Sequence, residues 1–143
     1  MQKEIRESRA AQRSGSQFRP KLLIVDENLD DLLYYSRVLQ RAAYDVRCIA
    51  SFTDGATSLE NESFDLIIIS QGSPNFAGRS VLARVSEQHR QTPVLVLDRY
   101  ADSARYQEAI HLGAQDYLER PLQPSEIATL VASSLSGSVG QGN

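Results

Sequence analysis

Several short apolar runs in this sequence end on residues that can do chemistry. The first ends on Asp26 and Glu27, the third on Ser70, the fourth on Asp98 and Arg99, and the fifth leads to Arg120-Pro121. An acidic pair, a hydroxyl, a further acid and two guanidinium groups can form ion pairs, bind an anion or supply a nucleophile. Ser70 is the weakest of these as it stands. A serine hydroxyl ionises far above neutral pH and attacks well only beside a base, and no histidine stands at the end of an apolar run. His89 and His111 fall within or near the ends of helical patterns and read as surface residues. Arg120 carries a permanent charge on a planar fork suited to carboxylates, and Asp98 comes from the adjacent region of the sheet edge, so a pair between Arg120 and an acid is expected in the pocket. The alternative is that Arg120 and Arg99 both point to solvent, where exposed pairs contribute little.

The runs that must position these residues have strand length and β-branched or aromatic content: KLLIV (21–25), DVRCIA (45–50), DLIIIS (65–70), PVLVLD (93–98) and AQDYL (114–118). A helical pattern follows each. Leu29, Leu32, Leu33 and Leu39 fit one helical face, and Val81, Leu82 and Val85 another. Ala109, Ile110 and Leu112 make a third, and Ile127, Leu130 and Val131 a fourth. Ser51-Phe-Thr-Asp54 is a capping-box-like start for a short second helix. Gly113 stands where a helix must stop, and Pro124 suits the first turn of the last one. Five alternations of strand and helix predict a parallel sheet with helices on both faces. In such a sheet ligands gather beyond the carboxyl ends of the strands, so the residues named above converge on one pocket.

The 143 residues, 15.9 kDa, suit one domain. Hydrophobic residues at 41% and charged residues at 23% exclude a fibrous or wholly disordered chain. No apolar run approaches the ~20 residues that span a bilayer, so no membrane role is expected. Residues 1–19 read as a basic, flexible extension, 20–135 as the folded domain, and 136–143 as a disordered tail of small polar residues. The first twenty residues hold five basic and two acidic side chains, +3, which leaves −6 of the net −3 on the remainder. An acidic body without a basic face argues against direct nucleic-acid binding. The lone Cys48 cannot form an internal disulfide, and no secretory leader is visible, so a cytoplasmic address is expected. Cys48 alternates with Val46 on the second strand and reads as a small buried hydrophobe. Asp65 reads as a turn residue. One ring of the Tyr34-Tyr35 pair should pack while the other lies toward the surface, and Tyr100 and Tyr106 flank the fourth helix.

The stretches LLIVDENLDD, FDLIIISQGSPNFAG, TPVLVLDRYAD and LGAQDYLERPLQPSEI, in this order and spacing, resemble a response-regulator receiver domain over residues 21–135. The resemblance implies a flavodoxin-like five-stranded parallel sheet of order 2-1-3-4-5 with five helices. It also implies Mg²⁺ held by an acidic pair after the first strand and by an aspartate ending the third, which accepts the phosphoryl group. A lysine after the fifth strand pairs with that group, a hydroxyl after the fourth strand contacts it, and an aromatic on the fifth strand moves inward in response. Asp26 and Glu27 match the acidic pair, Pro74 and Gly78 the loop after the third strand, and Tyr117 the switching aromatic. Ser70 stands at the nucleophile position, Asp98 at the hydroxyl position, Arg99 where a small residue leaves room, and Arg120 at the lysine position. Lys3 and Lys21 are the only lysines, so no shifted alignment supplies the missing one. By the same resemblance the Arg120-Pro121 bond is expected to be cis.

Four departures in one pocket argue against ordinary phosphoryl transfer. No cofactor is expected, the alternative being Mg²⁺ in a rearranged site of Asp26, Glu27 and Asp98. The preferred reading is a pseudo-receiver: a non-enzymatic module of two-component or phosphorelay signalling that acts through protein–protein contact. Its partner would be a histidine kinase, another regulator or an output protein, with a homodimer as a further option. One alternative is a phosphorelay regulator with an atypical acceptor, Ser70 or Asp98. Another is a module that binds an anion or small ligand through the two arginines. With no output domain in these residues, output is expected through partners or oligomerisation.

Overall fold

A computed structural model of the chain describes residues 19–72 and 75–140. The extension expected over residues 1–19 lies almost wholly outside them, as does Pro74. Five strands alternate with five helices. They run β1 (Lys21–Val25), α1 (Leu29–Arg41), β2 (Asp45–Ile49), α2 (Phe52–Ser58), β3 (Leu66–Ser70), α3 (Arg79–Gln88), β4 (Val94–Asp98), α4 (Ser103–His111), β5 (Asp116–Glu119) and α5 (Pro124–Gly140). All strand pairings are parallel and the order is β2-β1-β3-β4-β5, as expected. Strand order reverses between β1 and β3, which opens a crevice above their carboxyl ends.

Strand parity divides the core into two layers. Leu23, Val25, Ile67, Ile69, Val94, Val96 and Tyr117 face α2, α3 and α4. Leu22, Ile24, Leu66, Ile68, Leu95 and Leu97 face α1 and α5. Because β1, β3 and β4 are covered on both faces, their sequences are continuous apolar runs. The edge strand β2 is mostly exposed. Cys48 is accordingly exposed, not buried as its alternation suggested: the sheet ends at β2, and part of that strand's surface faces water.

The helix starts follow local chemistry. The side chains of Asn28, Ser51 and Asp102 accept hydrogen bonds from the backbone N–H groups of Asp31, Asp54 and Arg105 at 3.1, 3.1 and 2.8 Å. Asp65 serves the strands, its carboxylate accepting the Lys21 N–H at 2.7 Å. Gly113 ends α4 at φ 110°, a left-handed conformation that favours glycine. In α1 the buried stripe is Leu32, Tyr35, Ser36 and Leu39, while Leu29 and Leu33 are exposed. The four leucines do not share one face, because the stripe begins at Leu32 and runs through i+3, i+4 and i+7. Tyr35 packs and Tyr34 is partly exposed, its hydroxyl donating to the Leu122 carbonyl at 2.9 Å. The tail expected from residue 136 is helical as far as Gly140, since small residues can extend a helix already nucleated upstream. Among the described residues no helix is long and apolar enough to cross a membrane.

Candidate functional site

Asp26, Glu27, Ser70, Asp98, Arg99 and Arg120 all line one cleft of about 230 Å³ above the carboxyl ends of the strands. Asn28, Phe52, Gly72 and Tyr100 complete its wall. Gly78 brings the loop after β3 against this end of the sheet, since a Cβ there would stand 2.4 Å from the Ser70 carbonyl oxygen.

The expected pair of Arg120 with an acid is present, and the acid is Asp26. Arg120 donates from Nη1 to Asp26 Oδ2 at 2.6 Å, not to Asp98. The same nitrogen lies 3.5 Å from Asp31 Oδ2, and Arg99 pairs with that Asp31 carboxylate too. A chain of alternating charge, Arg99–Asp31–Arg120–Asp26, therefore crosses the cleft. Asp26 is 4% exposed, and its other oxygen accepts the Asn28 N–H at 2.9 Å. Arg120 meets Asp26 through one nitrogen, with its Nε buried and unpartnered, so the pair is not a bidentate fork. The Arg120-Pro121 bond is cis, as expected. Glu27 is exposed.

Asp98 is 3% exposed and is committed elsewhere. Its Oδ2 accepts hydrogen bonds from the Tyr117 hydroxyl and from Arg105 Nη1, the latter at 2.8 Å, and Oδ1 accepts the Tyr100 N–H at 3.2 Å. Burial pushes the Asp98 carboxyl up, but the bonds from Tyr117, Arg105 and Tyr100 outweigh it and hold the group below the usual carboxylate range. Burial, and after it the hydrogen bond and charge of Asp98, push the Tyr117 phenol well above its ordinary value. Tyr106 meets the Tyr117 ring edge-on, with centroids 6.3 Å apart.

Strand parity accounts for the choice of partners. Ile24 and Leu118 contribute to the layer beneath α1 and α5, and Asp26 and Arg120 lie two residues beyond them on the same side. Val96 and Tyr117 contribute to the opposite layer, and Asp98 lies two residues beyond Val96. The two acids therefore leave the sheet toward different faces. Counting from the strand ends could have found this arrangement in the sequence. Asp31 and Arg105 carried no such signal, because each meets a residue of the cleft from the first turn of a helix.

The donor set does not fit a divalent cation. Ser70, 4% exposed, places a neutral hydroxyl at the end of β3, and both oxygens of Asp26 already receive N–H donors. Among the described residues no three His, Cys, Asp or Glu side chains come together as a metal site, so the alternative set of Asp26, Glu27 and Asp98 is not assembled. The physical reason is the parity that separates Asp98 from Asp26, together with the guanidinium groups that already neutralise each of them. His89 Nε2 lies 2.8 Å from the Leu59 carbonyl and His111 is exposed, both away from the cleft.

Comparison with known proteins gives four matches. The pattern of the response regulator receiver domain matches residues 22–132. The two-component response regulator ORR3 of Oryza sativa subsp. indica is 30% identical over 117 residues, covering 78% of this chain and 87% of that protein. Response regulator protein PilR of Pseudomonas aeruginosa is 29% identical over 117 residues, and the chain spans only 26% of its length. Among solved structures, a CheY-like response regulator receiver domain protein from Methanospirillum hungatei JF-1 superposes with a TM-score of 0.80 at 21% identity, over 86% of this chain and 98% of that one. At that identity the likeness speaks to the fold.

Proposed function

The chain belongs to the response regulator receiver domain family, and we propose that within it this protein is a pseudo-receiver. It transmits signals through protein–protein contact and is not phosphorylated by the aspartyl mechanism. The observation that carries this reading is the buried Arg120–Asp26 pair in a cleft whose β3 terminus holds Ser70. Phosphoryl transfer to an aspartate needs a carboxylate nucleophile and a divalent cation to neutralise the equatorial oxygens. Here the nucleophile position is a hydroxyl, no histidine lines the cleft among the described residues, and the first acidic ligand is neutralised by a guanidinium group.

The other two readings find less support. Asp98, as an atypical acceptor, would have to release Tyr117 and Arg105 before it could attack. An anion bound by the two arginines would have to displace Asp31 from Arg99 and Asp26 from Arg120. The module has no catalytic activity of its own in this reading. It works in the cytoplasm, alone or as a homodimer, against a histidine kinase, another regulator or an output protein, and makes no direct contact with nucleic acid.

Incubation with acetyl phosphate and Mg²⁺, followed by intact-mass measurement, tests the reading. The expected result is an unchanged mass. A gain of roughly 80 Da, one phosphoryl group, that disappears in Ser70→Ala or Asp98→Ala would overturn it in favour of an atypical acceptor.

A further inference from the structure

Helix α4 is fastened to the sheet in an unusual way. Ala109 is its only fully covered side chain, with Ile110 packed partly against the core, so its apolar anchorage is thin. Its polar anchorage to the sheet runs through Arg105, while Glu108 pairs with Arg79 of α3. Arg105, in the first turn, reaches the Asp98 carboxylate at the end of β4, and that carboxylate also accepts the hydroxyl of Tyr117 from β5. Tyr106, the next residue on α4, lies edge-on to the same Tyr117 ring. Tyr117 is 5% exposed, whereas Tyr106 and, at 71%, Tyr100 stand open to solvent at the two ends of this arrangement.

We propose that Asp98 is the centre of a built-in clamp that holds Tyr117 inward and α4 against the sheet, fixing the surface that carries Tyr100 and Tyr106 in one state. A carboxylate at the end of β4 does this because it accepts two donors from two different elements, while its second oxygen orders the turn through the Tyr100 N–H. The bonds are charge-assisted and converge on a carboxylate that is itself buried, although Arg105 is partly exposed. Beyond these bonds and the thin apolar packing, α4 is tied to α3 by the exposed Arg79–Glu108 pair, which contributes little against outward motion. No added group is required, so the surface is presented in one conformation continuously. The clamp rests on these bonds and not on the absence of phosphorylation, so it stands or falls separately from the function proposed above.

Hydrogen–deuterium exchange across residues 100–119 tests it in the full chain. Asp98→Ala should raise exchange over α4 by roughly tenfold or more, while the amides of β1 and β3 keep their protection. Tyr117→Phe keeps the ring and removes only the hydroxyl, so it should give a smaller rise confined to α4 and β5. Should Asp98→Ala fail to fold, Tyr117→Phe together with Arg105→Gln carries the same test. In protein labelled with 3-fluorotyrosine, the Tyr117 resonance should become solvent-accessible in Asp98→Ala. Exchange over α4 within twofold of the parent in these variants, with Tyr117 still shielded, would overturn the clamp. A phosphoryl mass gain with the clamp variants behaving as expected would overturn the proposed function and leave the clamp standing.

Discussion

Arg120 and Asp26 meet at 2.6 Å with both side chains almost wholly covered, so deletion of Arg120 leaves the Asp26 carboxylate buried without its guanidinium partner. Arg120→Ala is expected to cost about 3 kcal/mol, the usual penalty for an uncompensated buried carboxylate. Arg99→Ala, from a pair in which the arginine is nearly half exposed, should cost less than about 1 kcal/mol. Urea denaturation of the two variants checks the contrast, and equal losses would mean that the buried pair has no special standing. The same network governs any attempt to restore phosphoryl chemistry. Ser70→Asp alone should leave the chain unlabelled by acetyl phosphate, because Arg120 and Arg99 remain in the cleft and a new carboxylate joins Asp26, Glu27 and Asp98 as a like charge. Adding Asp98→Thr, Arg99→Ala and Arg120→Lys should be needed for labelling, with effects far from additive. Full labelling of the single variant, with folding verified by circular dichroism, would show that only the nucleophile had been lost.

The elements that carry these residues are placed by close contacts as much as by hydrophobic pattern. Gly78 precedes α3, and a Cβ on it would meet the Ser70 carbonyl oxygen, a backbone atom that cannot swing aside. Gly78→Ala is therefore expected to cost about 2 kcal/mol through overpacking. The loss should be visible in thermal unfolding, and an unchanged transition would mean that the loop after β3 shifts freely. Capping predicted where α2 begins and a first-turn proline where α5 does, whereas the caps Asn28 of α1 and Asp102 of α4 emerged only from the structure. Whether a given apolar residue on a helix is covered was decided by the neighbouring layer, as Leu29 and Leu33 illustrate.

Across the whole molecule, three tyrosines couple stability to alkaline pH. Burial raises the phenols of Tyr35 and Tyr44 above their ordinary value, and burial and Asp98 raise that of Tyr117 further. A group that holds its proton more tightly when folded contributes full stability below its unfolded pKa and loses it as pH rises. Above about pH 10 the unfolded chain releases protons that the folded chain keeps, so stability should fall with pH there. Urea midpoints measured between about pH 8 and pH 11 should decline, less steeply in Tyr44→Phe, which has no phenol to ionise at that site. An identical decline in that variant would remove Tyr44 from the account.

The sequence by itself determined the parallel alternation of strands and helices and the gathering of six polar residues at one end of the sheet, while the strand order came from the resemblance to receiver domains. Continuous apolar runs such as LIII can be buried only between two layers, and parallel connections leave few alternatives. Residue types also displayed the departures on which the proposed function rests, since a serine ends β3 and no lysine follows β5. Tertiary structure decided which charge meets which. Arg120 joins Asp26 across the sheet instead of its neighbour Asp98, because Asp98 leaves β4 on the opposite face and is taken there by Tyr117 and Arg105. Cys48 follows the same logic, as alternation along β2 says which residues share a face and only the edge position of the strand says that its side chain meets water. Pairing of charges depends on distances among residues that are far apart in sequence, and those distances exist only once both layers of helices have closed on the sheet.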